Sequence, residues 1–172
     1  MFFCLISCTV DDDSTDTTDD SEIDSSGYTT STLVADVLFF KWRVVDDTYL
    51  EGILMGDPGN EGWIAIGFGE NKMSGAKIIV AQNGSDIDNV LDATGYNYGL
   101  NSNSTTILSS SDISVDGTSI TATFNVNLSD VGVTVGESSG VIWAYKSISR
   151  DAKSVGQLGY HGNRGSTSIL FQ

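Results

Sequence analysis

What most constrains this chain is the shortness of its apolar runs. From Leu33 onward they are rich in β-branched and aromatic residues, are separated by Gly, Asn, Asp and Ser, and never sustain a 3.6-residue helical repeat. With 19 glycines against a single proline, the sequence carries the turn chemistry to reverse direction many times. Leu38-Phe39-Phe40-Lys41-Trp42-Arg43-Val44 sets Phe40, Trp42 and Val44 against Lys41 and Arg43, the alternation of a half-buried strand. Asp46-Asp47 then predicts a hairpin into Tyr49–Met55, which Gly56-Asp57-Pro58-Gly59-Asn60 ends.

Trp63-Ile64-Ala65-Ile66-Gly67-Phe68-Gly69 is apolar at every position, as expected of a strand covered on both sides. Further strands are predicted over Lys77–Ala81, Asn89–Ala93, Thr106–Ser110, Ser119–Asn127, Val141–Lys146 and Ser168–Phe171. About nine strands joined by turns, with no crossover helices, predict an all-β fold: an antiparallel, two-sheet, immunoglobulin-like β-sandwich. At 172 residues there is room for one such domain and a tail.

The tail is legible in the charge. Residues 9–32 hold eight acids and no Lys or Arg, and removing them leaves −7 of the net −15. So acidic a Ser/Thr-rich run buries too little apolar surface to offset its ordering entropy, and is expected to be a disordered, self-repelling spacer. Before it, Met1–Val10 is apolar, and Leu5-Ile6-Ser7-Cys8 resembles a bacterial lipobox, which would make Cys8 a lipidated N-terminus. A degraded signal peptide or an uncleaved apolar end is the alternative reading. The expected organisation is therefore a leader at 1–8, a spacer at 9–32 and a sandwich domain at 33–172, with the chain extracytoplasmic, either anchored through Cys8 or secreted. No other segment reaches the roughly 18 apolar residues that span a bilayer.

These features narrow the chemistry. Both cysteines, Cys4 and Cys8, precede the domain, so no disulfide, zinc cluster or thiol catalysis can be built within it. An acidic chain without a basic aromatic patch is a poor nucleic-acid binder. The single histidine, His161, stands in the glycine-rich stretch Gly159–Gly165, and a Ser-His-Asp site would have to use it as base. Its imidazole and the thioether of Met73, in Asn71-Lys72-Met73-Ser74-Gly75, are a familiar axial pair for haem iron. Met55 is a competing thioether, but its place in a strand pattern assigns it to the core. With no C-x-x-C-H, any haem would be non-covalent and b-type.

Four stretches carry a family resemblance: Phe40-Lys41-Trp42-Arg43-Val44, Gly62–Gly69, Met73-Ser74-Gly75-Ala76-Lys77, and Val141-Ile142-Trp143-Ala144 ahead of the Tyr160-His161 pair. Together they resemble a DOMON domain, over about residues 33–172. The resemblance implies an extracytoplasmic β-sandwich in which a Met after the glycine-rich strand and a His near the C-terminus ligate b-type haem, and Met73 and His161 fall at those places. With both ligands engaged the iron is six-coordinate, which implies electron transfer with a membrane or extracytoplasmic redox partner and no catalysis. Phe68, Tyr96, Tyr98 and Tyr160 are candidates to pack on the porphyrin, and Lys72 or Arg164 to meet its propionates. The alternative is a haem-free sandwich, either structural or binding carbohydrate through exposed Trp or Tyr.

Overall fold

The computed structural model describes residues 22–23, 26–59, 62–83, 88–96, 99–102, 106–147 and 161–172, with backbone alone at 22–23, 88–92, 96 and 99–102. Leader residues 1–8, including Cys8, and most of the predicted spacer lie outside this set. Two six-stranded antiparallel sheets face each other. In the first, β1 (Glu22–Ile23), β2 (Thr29–Val34), β3 (Leu38–Val45) and β4 (Tyr49–Gly56) are followed in space by β10 (Ser119–Asn127) and β9 (Leu108–Asp116). The second runs β12 (Asn163–Leu170), β11 (Ser138–Lys146), β5 (Trp63–Phe68), β6 (Lys77–Asn83), β7 (Asp88–Tyr96) and β8 (Gly99–Ser102). The one helical turn described, α1 (Leu128–Val131), ends at Gly132 in the left-handed conformation, φ 69°. No helix among the described residues is long and apolar enough to cross a membrane.

Local chemistry sets the register. Asp46 and Asp47 both take positive φ, 52° and 51°, and close the β3–β4 hairpin with Thr48 N–H donating to the Val45 carbonyl at 3.0 Å. Asp is among the few residues that tolerate this conformation, and it matches the twist of the flanking strands. With the turn fixed, Phe40, Trp42, Leu50 and Leu54 all point between the sheets, where they meet Ile64, Ile66, Phe68, Ile79, Ile120, Phe124 and Phe171. Phe40 organises this core: its ring lies 5.4 Å from Trp42, 5.8 Å from Phe68 and 6.2 Å from Phe124.

Among the described residues the sandwich holds twelve strands where about nine are predicted, and its first strands begin earlier than expected. β2 pairs with β3 along Thr29–Val34, beginning inside the 9–32 stretch expected to be disordered, and β1, wholly inside it, pairs with β2. The physical reason is that the acidity stops early. Residues 25–35 carry no charge, Thr29 and Thr30 are β-branched, and Thr29 is buried at 7% exposure.

Candidate functional site

The site begins with the alternation along β5, where all six residues are buried. Ile64, Ile66 and Phe68 enter the inter-sheet core, while Trp63 and Ala65 join a second cluster on the outer face of the second sheet. That cluster comprises Trp63, Ala65, Ala76, Ile78, Val80 and Ala93, with Met73, Ile142 and Ala144 packed against it. A sheet with one outward face would ordinarily present alternate polar residues to water. Here the outward face is a second apolar floor, kept low by alanines and by Gly67, whose missing Cβ is replaced by the Ile142 side chain.

Met73 is held at one edge of this floor by a tight return of the chain. Between β5 and β6, Gly75 takes φ +90°, Ala76 N–H donates to the Met73 carbonyl at 3.2 Å, and Gly75 N–H donates to the Gly95 carbonyl at 2.9 Å. Gly95 N–H in turn donates to the Ala76 carbonyl at 2.9 Å. The turn lies so close to β7 that a Cβ on Gly95 would collide with the Met73 carbonyl oxygen. Gly95 is therefore glycine because of what sits on it.

His161 stands two residues before β12, anchored by Gly162 N–H donating to the Tyr145 carbonyl of β11 at 3.0 Å. The glycine-rich stretch read as a loop is thus partly strand, since Asn163, Arg164 and Gly165 belong to β12 and pair with Tyr145, Ala144 and Trp143. Arg164 takes the outward register position opposite Ala144, and its Nη1 lies 3.3 Å from His161 Nε2. Partial burial, and secondarily the Arg164 charge, push the His161 pKa below the ordinary imidazole range. The neutral ring this favours is the form that ligates a metal.

The other predicted contacts divide. Phe68 does not face the outer floor: it is fully buried in the inter-sheet core, 6.4 Å from Phe124 and 6.2 Å from Phe171, because strand alternation puts it on the opposite side from Ala65. Lys72 is exposed in the Met73 turn. Tyr96 ends β7, its side chain outside the description, and Tyr98 and Tyr160 lie outside the described residues. Met55 is partly buried on β4, in the other sheet. The sequence reading did not single out Gly95, and it named Trp63, Ile142, Ala144 and Lys146 only as members of their strands. The doubly apolar β5 was the signal that a second face needed covering.

A thioether, a neutral imidazole and an apolar floor fit a flat, largely apolar macrocycle bound through its iron. Among the described residues no three His, Cys, Asp or Glu side chains gather to hold a bare metal ion. Of the aromatic residues that could stack on a sugar, Trp42 and Trp63 are buried, Trp143 is partly buried and stacks on Tyr145 at 6.4 Å, and Tyr49 is exposed.

No family model matches the chain, and no curated protein matches it. Solved structures do, and they define a class: the β-sandwich fold of cytochrome domains. The cytochrome domain of cellobiose dehydrogenase from Myriococcum thermophilum matches with a TM-score of 0.65 at 17% identity, covering 88% of this chain and 88% of that one. The cytochrome b domain of pyranose dehydrogenase from Coprinopsis cinerea matches with a TM-score of 0.66 at 15% identity, covering 87% and 86%. At these identities what is shared is the fold.

Proposed function

We propose that this chain is an extracytoplasmic electron-transfer domain that holds haem b non-covalently on the outer face of the second sheet, with Met73 and His161 as axial ligands. The observation that carries the reading is the second apolar floor, with Met73 packed on it and His161 beside Arg164 at its β12 edge. Haem supplies a one-electron couple, and a neutral thioether opposite imidazole favours the ferrous state relative to two imidazoles. The apolar surroundings act in the same direction, by disfavouring the additional charge of ferric iron.

The chain's own residues do the rest. The Gly75–Gly95 bonds fix the backbone of the Met73 turn, Gly162 fixes the backbone beside His161, partial burial together with the Arg164 charge favours the neutral imidazole, and Arg164 is the candidate at this end to meet a propionate. Lys72 is the corresponding cation at the Met73 end, and Tyr96, Tyr98 and Tyr160 are the aromatic candidates to cover the ring. Were Met73 and His161 both to hold the iron, they would leave no position for a substrate, and the group would supply electron transfer to or from a partner. The matched structures are domains of dehydrogenases, which supports a dehydrogenase as that partner. Lipidation at Cys8, followed by the acidic run, would tether the sandwich away from the membrane surface.

Purified protein reconstituted with haem is expected to show a low-spin Soret band and sharp ferrous α and β bands. Met73→Ala and His161→Ala should each lose the low-spin signature, and spectra unchanged in both variants refute the ligand assignment. Loss of fatty-acid labelling in Cys8→Ser tests the anchor separately.

A further inference from the structure

We propose that the indole N–H of Trp63, with the ammonium of Lys146 beside it, forms a carboxylate-binding end of the outer floor and takes a haem propionate; the inference rests on the haem reading above. Strand register shows how the floor is graded. Ile142, Gly67 and Ile78 form one outward row across β11, β5 and β6, and Ala144, Ala65 and Val80 form the next. The third row is Lys146, Trp63 and Gln82. Two apolar rows thus end in a row where every side chain carries an N–H donor. Neighbours in such a row have Cβ atoms about 5 Å apart, close enough for two of them to hold one carboxylate.

Trp63 is the telling member. It is 5% exposed, and its Nε1 is buried without a hydrogen-bond acceptor. Trp42 Nε1 is also without one, but that indole lies edge-on to the Phe171 ring at 5.6 Å and stacks on Phe40, so aromatic faces surround it. Among the described residues no aromatic ring contacts Trp63; across the strands it faces Lys146 on β11 and the buried Gln82 on β6, and the rest of the outer cluster is apolar. A buried donor in such a setting wants an acceptor brought by a ligand. The rim of haem b offers methyl groups, vinyl groups and two propionates, and only the propionates accept hydrogen bonds. The ionised propionate makes the bond a charge-assisted one, and Lys146, partly exposed and with no carboxylate paired to it among the described residues, supplies the opposite charge. Trp63 Nε1–H donates, a propionate oxygen accepts, and no proton is transferred.

The test titrates the full chain with haem b and with its dimethyl ester, in which both carboxylates are capped. Trp63→Phe is expected to weaken haem b binding by about tenfold or more, the loss typical of a hydrogen bond to a charged group. It should keep the low-spin spectrum and lose much less affinity for the ester, whose carbonyl oxygens accept only a weaker, uncharged hydrogen bond. Lys146→Gln, at a partly exposed position, should show the same ester-dependent loss and keeps the test open if Trp63→Phe does not fold. Equal penalties for haem and ester, or no penalty in either variant, overturn the inference while leaving haem binding intact. Failure of the unsubstituted chain to bind haem at all overturns the functional reading, and this inference with it.

Discussion

Gly95 shows how a residue that binds nothing can position a candidate ligand. Because a Cβ there would collide with backbone of the Met73 turn and not with a flexible side-chain end, Gly95→Ala has to push the turn off β7. The expected cost is on the order of 1–3 kcal/mol in chemical denaturation. Reconstituted Gly95→Ala should also shift toward high-spin haem as Met73 is displaced. A fully low-spin spectrum in a variant that folds would show that the turn tolerates the methyl group. At the opposite side of the molecule, Glu51 accepts hydrogen bonds from the Arg43 guanidinium and, at 3.1 Å, from the Tyr28 hydroxyl. The Arg43 bond is the main cause of a lowered Glu51 pKa, with burial opposing it and Tyr28 adding to it. The contribution of this carboxylate to stability is therefore fully present above its ordinary value of 4.5 and is lost as pH falls through the lowered folded value. The difference in unfolding free energy between the unsubstituted protein and Glu51→Gln should shrink over that acid range. It should be small throughout, since both side chains keep solvent contact.

At the scale of elements, legibility followed burial. β3, β4, β5 and β10 were readable because each carries a strong apolar pattern, and the Asp46-Asp47 turn fixed the first hairpin from chemistry alone. The edge strands were harder. β9 reads Leu-Ser-Ser-Ser-Asp-Ile-Ser-Val-Asp and is largely exposed, and β12 begins Asn-Arg-Gly-Ser-Thr. Such polar composition discourages pairing with other chains, and it also erases the two-residue period that would announce a strand. For the same reason Gly162–Gly165 looked like loop, although β11 recruits residues 163–165 into the sheet. Phe68, which faces the inter-sheet core, belongs to this scale too: the sequence marked β5 as apolar throughout but not which residues faced which side. The contrast is measurable. Phe40→Ala, which empties the centre of the aromatic cluster, should cost about 3–5 kcal/mol. Ser114→Thr on exposed β9 should stay within about 0.5 kcal/mol. Comparable losses in the two variants would contradict the assignment of core and edge.

For the whole molecule, the sandwich and the site are coupled by mass action. If haem binds only the folded chain, a free concentration 100 times its Kd adds about 2.7 kcal/mol, which for a domain of this size raises Tm by about 5–10 °C. Met73→Ala should keep the apo melting temperature but lose much of that increment, which calorimetry with and without haem can read. A resemblance to cytochrome domains was legible in a few motifs. The twelve-strand count, the earlier N-terminal boundary and the grading of the outer floor were not, because each depends on register between strands distant in sequence.

The second sheet separates two apolar bodies: a large one between the sheets, and a smaller one outside it gathered around Ala65 and Met73. They share backbone but almost no side chains. Substitutions on the outer side can therefore accumulate without unfolding the sandwich, so a lineage carrying this architecture could shed or exchange its cofactor and keep the scaffold. In such a protein, persistence of the fold is a poor guide to persistence of the activity, and the outward residues of β5, β6 and β11 are where the difference would be written.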